Sequence, residues 1–386
     1  MSFRFLTAGE SHGPCLTGIL DGVPAGLALR EEDFERSLSL RQRGYGRSPR
    51  MKIEADRVEI VAGVRHGRTT GAPICLRIEN KDHANWREVM ATAATEAQPP
   101  RITSPRPGHA DLAGSVKYGH ADIRDVIERA SARETAMRVA VGVVAERVLA
   151  ECGMYVVGHV IRIGDAQTRA DGPTRVEELR ARADADDLRC VDAEASARMR
   201  DAIRDAAHAG DTLGGVFEVR VSHPPIGLGS YAQWDRRLDS LLVQALVSIP
   251  AVKAAEVGDG WAAAGERGSA VHDAIEVGDS GSIRRSTNRA GGIEGGISNG
   301  EDIVCRGAMK PLSTLRNAAG SVDLATMQPS KAVSERSDVC AVPAASIVGE
   351  AVVSIVIAKA LLEKFGGDSM SELVERVASW RTRTQG

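Results

Sequence analysis

The chain has 386 residues, 43% hydrophobic and 26% charged, a balance typical of a soluble globular protein with room for a large core. A net charge of −3 and an aromatic content of 3% argue against a dedicated nucleic-acid binder and against a stacking platform for single strands. The six cysteines are scattered without a CxxC pair, which suggests neither a zinc knuckle nor a disulfide scaffold, and no metal site is expected; they read as the reduced thiols of a cytoplasmic protein.

Phe3–Thr7 predicts a strand running into the turn GESHGP, and Leu16–Leu20 predicts a second strand pairing back as an antiparallel hairpin. Arg4 and Glu10 interrupt any apolar leader. Arg30–Leu40 reads as a helix opened by Glu31, Glu32 and Asp33. Val58–Val64 and Ile74–Ile78 are further strand candidates. Asp125–Cys152 predicts one long helix, because Val126, Ala130, Met137, Val141, Val144 and Val148 recur at three- to four-residue spacing without a proline. The polar stretch 166–209 reads as a helical surface region with little chemistry of its own. Gly215–Ser222 returns to strand alternation, Asp235–Val247 is helical, and a strand follows through Val257. Two helices close the chain, near Ala344–Phe365 and Ser369–Thr382. The apolar run Ala351–Ala358 is shorter than the roughly 20 residues a bilayer requires, so no membrane span is expected. Hairpin-like pairs outnumber strand–helix–strand units, and no linker or repeat divides the chain. The expectation is one α+β domain over residues 1–386, with antiparallel sheets and helices.

Four stretches could carry chemistry. Arg36, Arg41, Arg43, Arg47, Arg50 and Lys52 form a basic run without an acid, centred on Gly44-Tyr45-Gly46. Arginine suits bidentate recognition of phosphate and carboxylate, and a glycine-hinged basic loop can close on a small polyanion. His12 and His109 each sit in a glycine-containing loop with an acidic neighbour, and histidine exchanges protons near neutral pH. Arg129–Thr135 (RASARET), read as opening or lying within the first turn of the long helix, offers hydroxyls, backbone amides and charge to an anion. NRAGGIEGGISNG, KPLST and RSD add Lys310, Ser313, Thr314, Arg336 and Asp338 on loops, without a Rossmann or Walker pattern. Together these residues indicate a site for multiply anionic, phosphorylated ligands, and they do not name the reaction.

The ordered motifs GESHGPCLTGILDGVP, ERASARETAMRVAVG and RSDVCAVPAASIVGE, with RPGHAD, NRAGGIEGGISNG and KPLST between them, resemble the chorismate synthase family from residue 3 to roughly residue 365. The resemblance implies a β-α-β sandwich peculiar to that family, a homotetramer, and a lyase of the shikimate pathway. Its reaction would be anti-1,4-elimination of phosphate from 5-enolpyruvylshikimate 3-phosphate, requiring reduced FMN with no net redox change. His12 and His109 would be the catalytic histidines, His12 beside the leaving phosphate and His109 beside the flavin. Asp338 would act near flavin N5, and Arg41 and Arg47, positions also described as NADP-binding, would hold the substrate's anionic groups. FMN would contact Arg129, Ala130, Ser131, Pro250, Ala251, Gly295, Lys310, Pro311, Leu312, Ser313, Thr314 and Arg336. Leu40 and Arg43 stand where relatives often carry Arg and Gly, while both assigned arginines are present. The expectation is a monofunctional enzyme fed reduced flavin by an external flavin reductase. Two alternatives stay open: a flavin- or NADP-dependent oxidoreductase that consumes reductant stoichiometrically, and a nucleic-acid module built on residues 36–52, whose binding would fall with salt.

Overall fold

The computed structural model describes residues 3–47, 55–94, 99–169, 175–278, 283–332 and 338–384. Two antiparallel sheets enclose a helical layer. Strands β1 (Arg4–Ala8), β2 (Cys15–Asp21), β3 (Val58–Ala62) and β4 (Ile74–Glu79) form the first sheet in the order β1-β2-β4-β3. Strands β5 (Tyr155–Ile163), β6 (Gly215–Ser222), β7 (Val252–Val257) and β8 (Ile303–Met309) form the second, in the order β7-β8-β6-β5, with Ala166–Gln167 on its β5 edge. The main helices are α1 (Glu35–Gln42), α2 (Asp111–Tyr118), α3 (Arg124–Arg129), α4 (Thr135–Glu151), α5 (Val176–Ala185), α6 (Ala193–Ala209), α7 (Leu238–Val247), α8 (Val342–Phe365) and α9 (Met370–Thr384). Helix α4 packs on β2 and β4, α8 packs on β5 and β6, and the two helices pack on each other. This is the α+β sandwich with antiparallel sheets that the sequence predicts.

Period-two alternation sets the first sheet. Leu16 and Leu20 on β2 and Ile74, Leu76 and Ile78 on β4 are buried beneath α4, while Ile19 and Arg77 face out. Each buried Leu or Ile contributes about 2 kcal/mol relative to exposure. The β1–β2 hairpin pairs Arg4 with Asp21 and Ala8 with Thr17, as its alternation suggests. Helices α4 and α8 show no narrow apolar stripe because each lies between a sheet and its partner helix. Helix α8 is long and apolar enough to cross a membrane, yet 89% of its most apolar window is buried inside the protein, so it is a core helix.

The two central helices touch at a glycine. A Cβ on Gly142 would lie 2.3 Å from the Ala351 Cβ and 2.5 Å from its Cα. Backbone rather than a flexible side chain blocks that space, so Gly142→Val should destabilise the fold by at least the 1–3 kcal/mol typical of overpacking. Calorimetry should record a clearly lowered melting temperature; an unchanged one would mean that the helices can part here without cost.

Two regions depart from the sequence reading. The predicted helix Asp125–Cys152 is broken into α3, a 3₁₀ turn at Ala132–Glu134, and α4. Ser131 is extended (φ −66°, ψ 143°) and accepts a hydrogen bond from the Arg133 N–H, so it caps a new start. Stretch 166–209 is chemically busier than its composition implies. Arg189 is 2% exposed and donates to Ser346 Oγ (3.0 Å), Asp184 Oδ1 (2.6 Å) and Glu350 Oε2 (3.3 Å). Arg36 of α1 donates to the same two carboxylates, at 2.8 Å to Asp184 Oδ2 and 3.1 Å to Glu350 Oε1. This network ties α1 and α8, both of which line the site, to the α5–α6 region.

Glu146 on α4 adjoins that network. Burial, and then the Glu350 charge, push its carboxyl up to about 8. The folded chain therefore keeps a proton that the unfolded chain releases above about pH 4.3. The stability linked to this proton is full below the unfolded value and declines as pH rises toward 8. Glu146→Gln should remove the decline, so its melting temperature should gain on that of the unsubstituted protein between pH 5 and pH 8. Parallel Tm-versus-pH curves for the two proteins would refute the assignment.

Candidate active site

The GESHGP loop leaves β1 at Gly9, whose φ of +112° and closeness to Cys15 (a Cβ would lie 2.4 Å from its carbonyl oxygen) admit only glycine. The loop is then strapped from two sides. Asn80 Nδ2 donates to the Glu10 and Gly13 carbonyls at 3.0 and 2.9 Å. On the α3 side, Ser11 N–H donates to the Glu128 carbonyl at 3.0 Å and His12 N–H donates to Glu128 Oε2 at 2.8 Å. The His12 ring places Nδ1 at 2.9 and 3.0 Å from the two Glu128 oxygens and stacks on Trp86, with ring centroids 4.1 Å apart. Its Nε2 lies 4.0 Å from Asp82 Oδ2.

A cationic wall stands beside this loop. Arg41, in the last turn of α1, donates through Nε to Thr135 Oγ1 (3.0 Å) and through Nη2 to the Ala132 carbonyl (2.9 Å). Burial lowers its guanidinium to about 10, against the pull of Asp56, and nearby Arg133 and Arg47 push the same way. Arg133 donates to Asp56 Oδ1 (2.6 Å) and Asn80 Oδ1 (3.0 Å). Arg47 Nη1 pairs with Asp338 Oδ2 at 2.7 Å. Arg41 Nη1 and Arg47 Nε are buried without a hydrogen-bond acceptor among the described residues. Arg41 Nη1 still lies 3.7 Å from Asp56 Oδ2, and the guanidiniums that carry these atoms line the cavity, where an anionic ligand would meet them.

These groups share a cavity of about 270 Å³. His12, Arg41, Arg47, Ser131, Arg133 and Asp338 supply its polar side. Ile249 and Pro250 after α7, Met309 of β8, and Ala344, Ala345 and Val348 of α8 supply an apolar side. With Asp82 beside His12, one cavity thus presents an imidazole, two carboxylates and three guanidiniums opposite an apolar wall.

The second histidine lies off this cavity. His109 Nδ1 is 2.5 Å from Asp111 Oδ1, and Arg106 Nε donates to Asp111 Oδ2 at 2.8 Å. Burial alone would raise the Asp111 carboxyl; hydrogen bonds from His109 and Arg106 instead hold it well below the usual carboxylate range. Lys310 Nζ donates to the Gly108 carbonyl at 3.0 Å, so RPGHAD and KPLST are neighbours, and Thr212 Oγ1 donates to the Leu312 carbonyl at 2.8 Å. Lys310 N–H donates to the Ala251 carbonyl, which brings Pro250–Ala251 beside the same segment.

The structure therefore gathers His12, Arg41, Arg47, Ser131, Pro250 and Asp338 on one cavity and groups His109 with Lys310–Thr314. Arg129 instead donates to Thr7 and Gly9 and holds the end of β1. Gly295 (φ +60°) lies in the turn between Ile293–Glu294 and Ile297–Ser298, away from the cavity lining. Arg336 lies outside the described residues. Sequence reasoning did not single out Glu128, Asp56, Arg133, Asp82 or Trp86. Glu128 and Arg133 lie inside the motif ERASARETAMRVAVG; nothing local marks Asp56, Asp82 or Trp86.

Comparison with known proteins decides the family. The family model described as chorismate synthase matches residues 3–362. The chain belongs to the chorismate synthase family. It is 54% identical over 373 residues to the chorismate synthase of Desulforudis audaxviator (strain MP104C), covering 96% of this chain and 95% of that relative. It is 51% identical over 379 residues to that of Bacillus cytotoxicus, covering 97% of each. A chorismate synthase crystal structure superposes with a TM-score of 0.80 at 39% identity, covering 100% of this chain and 99% of the other. Chorismate synthases are carbon–oxygen lyases of the shikimate pathway acting on phosphates, and this chain is one of them.

Proposed function

We propose that the chain converts 5-enolpyruvylshikimate 3-phosphate to chorismate by anti-1,4-elimination of phosphate. The supporting observation is the gathering of Arg41, Arg47 and Arg133 with His12 and Asp338 on one cavity. The substrate carries one phosphate and two carboxylates. Arg41 and Arg47, whose guanidiniums line the cavity, hold these groups. His12 protonates the departing phosphate, and Arg133 and Arg41 stabilise its charge. Asp338, held by Arg47, receives or relays the proton lost from the ring carbon.

Reduced FMN, when bound, supplies transient electron donation to the breaking C–O bond without net oxidation. The residues present fit it. The apolar side at Pro250, Met309 and Val348 suits a ring system, and Ser131, Lys310 and Thr314 suit a phosphate-bearing tail. His109, fixed by Asp111, is the second proton-handling group. An external reductase supplies the reduced flavin, and Arg41 and Arg47 are also the positions for any NADP contact. A single domain, a homotetrameric assembly and a cytoplasmic location complete the reading.

The deciding experiment mixes purified protein anaerobically with the substrate and chemically reduced FMN, without NADPH, and follows phosphate and chorismate together. Equal release of both, catalytic in flavin, is expected. Consumption of reductant in step with product would overturn the elimination in favour of an oxidoreductase.

A further inference from the structure

Glu128 is a buried carboxylate beside the cavity that the proposed reaction leaves without a part. It lies in the last turn of α3 at 3% exposure. Its carbonyl holds Ser11, its Oε2 accepts the His12 backbone N–H, and both its oxygens lie within 3.0 Å of His12 Nδ1. The two residues are 116 positions apart, so this is a tertiary arrangement rather than loop geometry. Arg124 Nη1, 3.9 Å from Glu128 Oε1, partly offsets the carboxylate charge. The Trp86 stack, tilted by only 25°, limits rotation of the ring.

A carboxylate oxygen accepts hydrogen bonds, so the ring nitrogen held between two of them carries a hydrogen. Were His12 to take the other tautomer, its Nδ1 lone pair would face two oxygens at 2.9 and 3.0 Å in a buried setting, at a cost that Asp82 Oδ2, 4.0 Å from Nε2, is too distant to offset. We infer that Glu128 is a positioning residue for His12, fixing the hydrogen on Nδ1 and leaving Nε2 as the atom that exchanges a proton in the cavity. This rests on reading His12 as the acid for the leaving phosphate. In that step the C–O electron pair goes to the phosphate oxygen, which takes the Nε2 proton. The neutral ring that remains keeps its Nδ1 hydrogen against Glu128.

The test uses the full chain with ¹⁵N-labelled histidine, the His12 signals being assigned by their loss in His12→Ala. The neutral His12 ring should carry its hydrogen on Nδ1; a hydrogen on Nε2 overturns the inference, whatever any variant does. Glu128→Gln, which keeps the shape but offers one acceptor, should mix the two tautomers. It should lower kcat on the order of 10²-fold, the lower range of what a positioned proton-transfer group contributes, with KM moved by less than about threefold. Unchanged kcat and tautomer in Glu128→Gln, with His12→Ala inactive, would overturn the role of Glu128 and leave that of His12 standing. Near-normal turnover in both variants would overturn the reading of His12 itself, and the inference with it.

Discussion

His12→Ala should lose turnover by 10²–10⁴-fold while still folding and binding substrate, its melting temperature lowered by the loss of the ring's contacts to buried Glu128 and Trp86. The ring makes its own contacts to Glu128 and Trp86, but the loop around it is held independently by Asn80 and by the Ser11–Glu128 backbone bond. Removing the imidazole therefore takes away a proton donor without releasing the loop. Steady-state assays with saturating reduced FMN, paired with thermal melts, would check this. Turnover within a few-fold of the original would mean that another group protonates the phosphate.

The second large effect concerns the Arg47–Asp338 pair, linked at 2.7 Å on the cavity wall. Arg47→Leu removes a cation and leaves Asp338 facing an anionic ligand, so attraction is lost and repulsion is added. Breaking one partner of such a charge pair costs about 2–5 kcal/mol, and substrate affinity should fall by roughly 30- to 5,000-fold. Asp338→Asn has the opposite sign for binding: it lifts the repulsion and leaves Arg47 free for the ligand, so affinity should hold or rise. Turnover should nevertheless fall sharply, because the amide takes no proton. Equilibrium binding and kcat measured on both variants separate the roles. Weaker binding in Asp338→Asn would show that the carboxylate positions Arg47 rather than handling a proton.

The sequence exposes what is local. Alternation marks Gly215–Ser222 and the β1–β2 hairpin, because one face of each strand meets the core. It hides the break at Ser131, since apolar periodicity continues on both sides of a single extended residue. It also hides the role of stretch 166–209, where buried Arg189 holds Asp184 and reaches Glu350, 161 positions away, a pairing that no local pattern encodes. At the site, His12, Arg41, Arg47 and Asp338 are legible as chemistry-bearing types in glycine-rich or basic loops, and the fold brings them together. Glu128 is not legible as their partner, because a carboxylate on a helix surface and one buried against an imidazole look alike in sequence. Nor does the sequence show that His109 and Lys310 form a separate group beside the cavity rather than on it.

The cavity takes its walls from Ser11 at one end of the chain to Val348 near the other. Such a site closes only after the most distant segments have met, a slow and late event in folding. A fragment that lacks either end of the chain lacks part of this wall, so the complete site belongs to the assembled fold. A ligand that binds the assembled cavity therefore shifts the folding equilibrium by mass action, and its concentration becomes a determinant of the chain's apparent stability.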